Sequence, residues 1–168
     1  MNRIARILKH RWLDETDTRR ALRPEAVERL REAVVSSERR HSGEIRICVE
    51  AGLPLSYLWR RLGARDRAIA MFGKLRVWDT EANNGVLIYL LLAEHAIEIV
   101  ADRGLKRHVS DEQWRQIAAG MREDFRARRY EQGLQAAVNA VDELLRRHFP
   151  LGNAAANPNE LPDRPLLR

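Results

Sequence analysis

The chain has 168 residues, 45% of them hydrophobic, which suits one domain able to bury a single core. Its net charge is +6, yet charged residues of both signs make up 32% of it. The excess is therefore spread over solvated helical faces, and with no recognition motif beside it a nucleic-acid surface is disfavoured. One cysteine, Cys48, excludes an internal disulfide, and no apolar run has the length of a membrane span or the make-up of a signal peptide, so a cytoplasmic location is expected.

Residues 1–20 set Ile4, Ile7, Leu8 and Trp12 at helical spacing among Arg3, Arg6, Lys9, His10 and Arg11. This is a short basic amphipathic helix, and it defines a first segment, 1–22. It either docks on an anionic membrane surface or a protein partner, or packs back on its own domain. Pro24 then opens a helix with Val27, Leu30 and Val34 on one face, ending before Ser42-Gly43. Residues 44–50 alternate, with Ile45, Ile47 and Val49 on one side and Arg46 and Cys48 on the other, and form a first strand.

Gly52-Leu53-Pro54 turns the chain into a helical stretch carrying Leu55, Leu58, Leu62, Ile69 and Phe72, with a break at Gly63. The apolar run 86–92 is too short for a bilayer and too hydrophobic for a loop, so it is a central strand buried on both faces. Joined to the first strand through a helix, it runs parallel to it. The chain reverses at 93–95, and 96–101 returns antiparallel. Ser110 with Gln113 forms a capping box ahead of Trp114, Ile117, Ala118, Met121 and Phe125, and a last helix from about residue 130 carries Leu134, Val138, Val141, Leu145 and Phe149. The expected fold is α/β: three α/β/α layers around a small mixed sheet, spanning 23–150. Pro158, Pro162 and Pro165 suggest a disordered Pro/Asn-rich tail over 151–168.

This topology gathers the starts of the first two strands and the end of the third at one edge. That edge holds His41, Glu44, Asp79, Glu81, Asn83, Asn84, Asp102 and Arg103. Carboxylate and amide oxygens on loops suit a hard cation, Ca2+ or Mg2+, with Asp79, Glu81, Asn83, Asn84 and Asp102 as candidate ligands and Asp79 and Asp102 as candidate catalytic groups. The same residues also serve as ordinary turn formers. The opposite edge offers Glu50, Glu94 and His95 and is less equipped. The five histidines lack metal-ligand spacing, the glycines are too scattered for a nucleotide cofactor, and no Ser, His and Asp grouping suggests a nucleophile. Trp59, Trp78 and Trp114 fit core or rim packing.

Asn83-Asn84-Gly85-Val-Leu-Ile-Tyr-Leu-Leu, then Ile97-Glu-Ile-Val-Ala-Asp102-Arg-Gly104-Leu105, then Phe125-Arg-Ala-Arg-Arg-Tyr130-Glu-Gln-Gly133-Leu134 resembles the TPM domain over roughly residues 26–149. The resemblance implies a mixed sheet between helices. It also implies calcium binding, a phosphatase-like activity or a membrane-associated maintenance role. The usual pattern has Asp-Asn-Gly in the loop and Gly-Leu-Glu-Gly later; here Asn83 replaces the Asp, and Lys106 and Arg107 replace the Glu and second Gly. Both changes remove negative charge, for which Asp79, Glu81 and Asp102 would have to compensate. Two readings follow. One is a non-catalytic interaction module, peripheral to the inner face of a membrane through residues 1–20; the other is a metal-dependent phosphatase-like hydrolase using the 79–85 loop and 102–104.

Overall fold

The computed structural model describes residues 3–151 and 158–168. Helices α1 (Arg3–Trp12), α2 (Glu15–Ala21) and α3 (Pro24–Glu38) precede the first strand, β1 (Ile45–Glu50). The α1–α2 boundary is set by Asp14, whose carboxylate accepts from Thr16 N at 2.7 Å while Asp17 accepts from Asp14 N at 2.9 Å. Next come α4 (Leu55–Trp59), α5 (Ala64–Lys74), β2 (Val86–Leu91), a 3-10 turn and β3 (Ala96–Ala101). The chain ends with α6 (Arg103–Lys106), α7 (Asp111–Gly120), α8 (Arg122–Arg126), α9 (Tyr130–His148) and β4 (Leu166–Leu167).

Among the described residues the strands form one sheet in the order β3-β2-β1-β4. β1 runs parallel to β2, with Ile47 opposite Ile88, and β2 runs antiparallel to β3, with Ile88 opposite Ile99. The three strands read from the sequence therefore have the expected directions. Every residue of β2 is buried, as its unbroken apolar run requires.

The pleat sends alternate residues to two apolar clusters, one on each face of the sheet. Ile45, Ile47, Val49, Val86, Ile88 and Leu90 pack with α3, α7, α8 and α9. Cys48, Leu87, Tyr89 and Leu91 pack with α4 and α5. The result is the α/β/α arrangement, with its apolar interior split by the sheet. Burial pushes the Cys48 thiol up to about 12, which leaves it inert.

Two expectations are corrected. The break expected at Gly63 is present and starts α5 on a new phase, so the expected apolar residues across 55–72 do not share one buried face. Ala64, Ala68 and Met71 face the sheet, while Leu55 and Ile69 lie outside. Trp114 is in the core, whereas Trp59 and Trp78 are exposed.

The second correction concerns the tail. Residues 152–157 lie outside the described residues, but 158–168 returns to the sheet. β4 pairs parallel with β1, Arg168 N donates to Val49 O at 2.9 Å, and Ala51 N donates to Arg168 O at 2.8 Å. Leu161 is buried, Leu161 N donates to Glu44 Oε2 at 3.0 Å, and Arg46 Nη1 donates to the carbonyls of Pro162 and Arg164. The prolines do not prevent this docking, because the segment lies at the edge of the sheet and pairs through only two strand residues.

Candidate functional site

The edge where β1 and β2 begin and β3 ends is shaped by one tight loop. Asn83 N donates to Thr80 O and Asn84 N to Thr80 Oγ1, both at 3.1 Å. Asn83 takes the left-handed conformation (φ 53°), which asparagine tolerates well. Gly85 follows because a Cβ there would drive into the backbone carbonyl of Val77, and Gly104 because a Cβ would stand 2.5 Å from the carbonyl of Asn83. The glycines thus clamp the 80–85 loop against the exit of β3, a clamp closed by Asp102 N donating to Gly85 O and Gly104 N to Asn83 O, each at 2.9 Å.

The five expected ligands fall into two groups. Asn83, Asn84 and Asp102 meet across this clamp. Asn83 Oδ1 accepts from Arg103 Nε at 2.7 Å, so a cation already occupies it. Asp102 Oδ1 accepts from Arg103 N at 2.6 Å and caps α6. Asn84 Nδ2 donates to Ser42 Oγ at 3.2 Å. The oxygens left over, Asn84 Oδ1 and Asp102 Oδ2, are buried without a hydrogen-bond partner among the described residues. Asp79 and Glu81 are on the solvent side of the loop: Asp79 pairs with Arg76 at 3.9 Å, and Glu81 meets the Glu160 carboxylate through its own backbone N–H. Among the described residues no three His, Cys, Asp or Glu side chains stand close enough to share a metal ion, so Asp79, Glu81 and Asp102 do not converge. The oxygens open to a hard cation here are Asn84 Oδ1 and Asp102 Oδ2, a thin donor set beside Arg103.

Behind this edge lie buried polar groups that periodicity could not reveal. Glu38, on the last turn of α3, reads as a solvated helix position but is buried, and its Oε1 accepts from Ile45 N at 2.9 Å. Burial, reinforced by the nearby Glu44 and Asp163 carboxylates, pushes Glu38 up to about 9. A Ser, His and Asp grouping does exist. Ser37 Oγ lies 2.8 Å from His41 Nε2 and donates to Asp142 Oδ1 at 2.9 Å, while His41 Nδ1 faces Gly43 O at 3.0 Å. The serine sits between the other two and all three are buried, so the group ties α3 to α9 and presents no nucleophile. His41 therefore leaves the loop cluster.

The opposite end of the sheet is the better furnished one. There α1 packs beside α4 and is held by polar contacts. Arg6 Nε donates to Glu94 Oε1 at 2.9 Å and Arg6 Nη2 to Leu62 O at 2.9 Å. His10 Nε2 lies 3.1 Å from Glu94 Oε1, and His10 Nδ1 accepts from Leu53 N at 3.0 Å. Those contacts, led by the His10 and Arg6 hydrogen bonds, lower the Glu94 pKa. With Arg6 and His10 turned inward and Ile7 half-buried, the stripe Ile4, Leu8 and Trp12 is left in solvent, Trp12 at 84% exposure. Leu55 and Trp59 of α4 are exposed as well.

Comparison with known proteins agrees with this architecture. The TPM domain family model matches residues 16–144. The NMR structure of the BA42 protein from the psychrophilic bacterium Bizionia argentinensis is similar at 27% identity and a TM-score of 0.73, covering 86% of this chain and 94% of that one. The N-terminal domain of a protein from P. gingivalis shares the fold at 19% identity and a TM-score of 0.63, covering 79% of this chain and 83% of that one. A comparison with curated proteins finds no match. No helix among the described residues is long and apolar enough to cross a membrane. With the family model covering most of its length, and the glycine-clamped loop and mixed sheet in place, this chain belongs to the TPM domain family.

Proposed function

We propose that this TPM domain is a non-catalytic interaction module that docks on an anionic membrane surface at its cytoplasmic face through α1. The observation that carries the reading is the orientation of that helix. An amphipathic helix packing for stability alone turns its apolar stripe inward. Here Arg6 and His10 turn inward with Ile7 half-buried beside them, while Ile4, Leu8 and Trp12 face solvent. Lys9 and Arg11 are exposed on the same helix, and the chain's net charge is +6. Apolar residues that enter the lipid interface, flanked by cations that meet anionic headgroups, are the two ingredients of interfacial binding.

Flotation with vesicles of pure phosphatidylcholine and of phosphatidylcholine with phosphatidylserine tests this. The chain should float with the anionic vesicles only, and Leu8→Glu with Trp12→Glu should abolish it while the melting curve stays unchanged. Equal behaviour on both vesicle types, or flotation that survives the double substitution, defeats the reading.

A second reading is supported by two buried oxygens that have no hydrogen-bond partner among the described residues, Asn84 Oδ1 and Asp102 Oδ2. They would help hold Ca2+ or Mg2+, which when bound supplies Lewis-acid activation for phosphoester hydrolysis. Asn84 and Asp102 would bind the ion, and Arg103 would face a substrate anion. A calcium or magnesium titration followed by melting temperature, with Asp102→Ala as control and aryl phosphate turnover as the second measurement, decides it. No shift and no turnover remove this reading.

A further inference from the structure

Between α1, α2 and the β2–β3 turn lies a cleft of about 640 Å³, within the roughly 300–1,000 Å³ of small-molecule sites. Its apolar wall is built by Leu8, Trp12, Leu13, Leu92 and Tyr130, two of them from the exposed stripe of α1. At its rim stand Lys9, Arg20 and Arg128, with Asp17 as the acidic member. Asp17 accepts from Asp14 N and lies 3.7 Å from Arg20, so those two charges answer each other. Lys9 and Arg128 have no acidic partner within salt-bridge distance among the described residues. His95 lines the cleft with them, and its Nδ1 lies 3.2 Å from Tyr130 OH. Burial first, then the charges of the two cations, hold the His95 imidazole below the usual range.

We propose that this cleft binds one amphiphile with a single anionic head: the acyl chain of an anionic membrane lipid along the apolar wall, its headgroup between Lys9 and Arg128. Two uncompensated cations leave the rim with positive charge that an anionic group would answer, and the wall below them is apolar. The inference rests on the membrane reading for the source of its ligand. It adds a stoichiometric site to what would otherwise be surface adhesion.

The test uses the full chain and sodium decanoate below its micellar range, followed by calorimetry, with decyl maltoside as the uncharged probe of equal chain length. Decanoate should bind saturably at one per chain, and decyl maltoside at least tenfold more weakly. Lys9→Gln with Arg128→Gln, both on the surface and remote from the core, should weaken decanoate at least tenfold at an unchanged melting temperature. Ile4→Glu with Trp59→Glu lies outside the cleft and should reduce vesicle flotation while leaving decanoate binding intact. Decanoate that does not saturate, or binds no better than the maltoside, or ignores the Lys9 and Arg128 changes, overturns the proposal whatever flotation shows. Saturable decanoate binding without flotation upholds the cleft and removes the membrane reading instead.

Discussion

His10 and Glu94 meet at 3.1 Å across 84 positions of chain, and this contact fixes how α1 lies on the domain. Because His10 Nδ1 accepts from Leu53 N, the ring proton sits on Nε2 and is donated to Glu94. Replacing His10 by alanine leaves the Leu53 amide without an acceptor and Glu94 with Arg6 alone. A buried donor left unpaired costs about 1–3 kcal/mol, about a fivefold or greater rise in local opening. Amide exchange of α1 and of Leu53 should quicken by at least that factor in His10→Ala, with the amides of β2 unchanged. Equal exchange in both proteins would show that α1 is held by something else.

The glycine clamp gives a second prediction, with an internal control. At Gly85 a methyl group meets the backbone of Val77, which cannot step aside as a side chain could. Gly85→Ala should cost at least about 1–3 kcal/mol, the usual penalty of overpacking. Gly73, inside α5, has open space around it, and Gly73→Ala should stabilise by about 0.5–1 kcal/mol through helix propensity. Urea unfolding of the two variants should move in opposite directions. A neutral Gly85→Ala would mean that the loop is not clamped.

How much of this was legible in the sequence depends on whether a feature is local. The alternation in 44–50, the apolar run in 86–92 and the return through 96–101 set strand directions, because period and connection length decide them. The Ser110–Gln113 capping box is present for the same reason. β4 was hidden: its two strand residues follow three prolines, and its pairing depends on the edge of a strand more than 110 residues away. The inversion of α1 was hidden too, since amphipathicity cannot say that Glu94, Leu62 O and Leu53 N wait for the polar side. At the candidate site, chain order placed Asn83, Asn84 and Asp102 together. The outward turn of Asp79 and Glu81 depends on the left-handed Asn83 and the Thr80 hydrogen bonds, which composition does not encode.

Because β4 closes an edge, removing residues 158–168 should do more than shorten the chain. Arg46 loses the carbonyls of Pro162 and Arg164, Glu44 loses Leu161 N, and β1 exposes the groups that paired with Arg168. With the burial of Leu161 added, a loss of about 2–4 kcal/mol is expected. That corresponds to a fall in melting temperature of about 5–15 °C. An open β1 edge also invites pairing between chains, so sedimentation should reveal oligomers in the truncated protein. A truncated chain that stays monomeric and melts with the full one would refute the structural role given to this segment.

The buried Glu38 makes stability depend on pH in an unusual direction. Its carboxyl ionises near the usual 4.5 when unfolded, but only at about 9 in the fold, since burial and then the neighbouring carboxylates oppose the charge. Between those values the folded chain holds a proton that the unfolded chain has released. The contribution is therefore fully present below 4.5 and is lost as pH rises towards 9, by up to about 1.4 kcal/mol per pH unit. His41 acts in the opposite sense. Burial lowers it from 6.5 to about 4, so its contribution is present above 6.5 and is lost as pH falls through 4. Glu38→Gln separates the two, because the amide oxygen still accepts from Ile45 N but has no proton to lose. The variant should be more stable than the parent at pH 8 and lack its decline from pH 7 to 9; between pH 6.5 and 4.5 the two groups offset each other in the parent, so there the variant should lose stability faster than the parent as pH falls. Unfolding midpoints at pH 5, 7 and 9 read this directly, and parallel curves for the two proteins across the whole range would place the ionisation of Glu38 elsewhere.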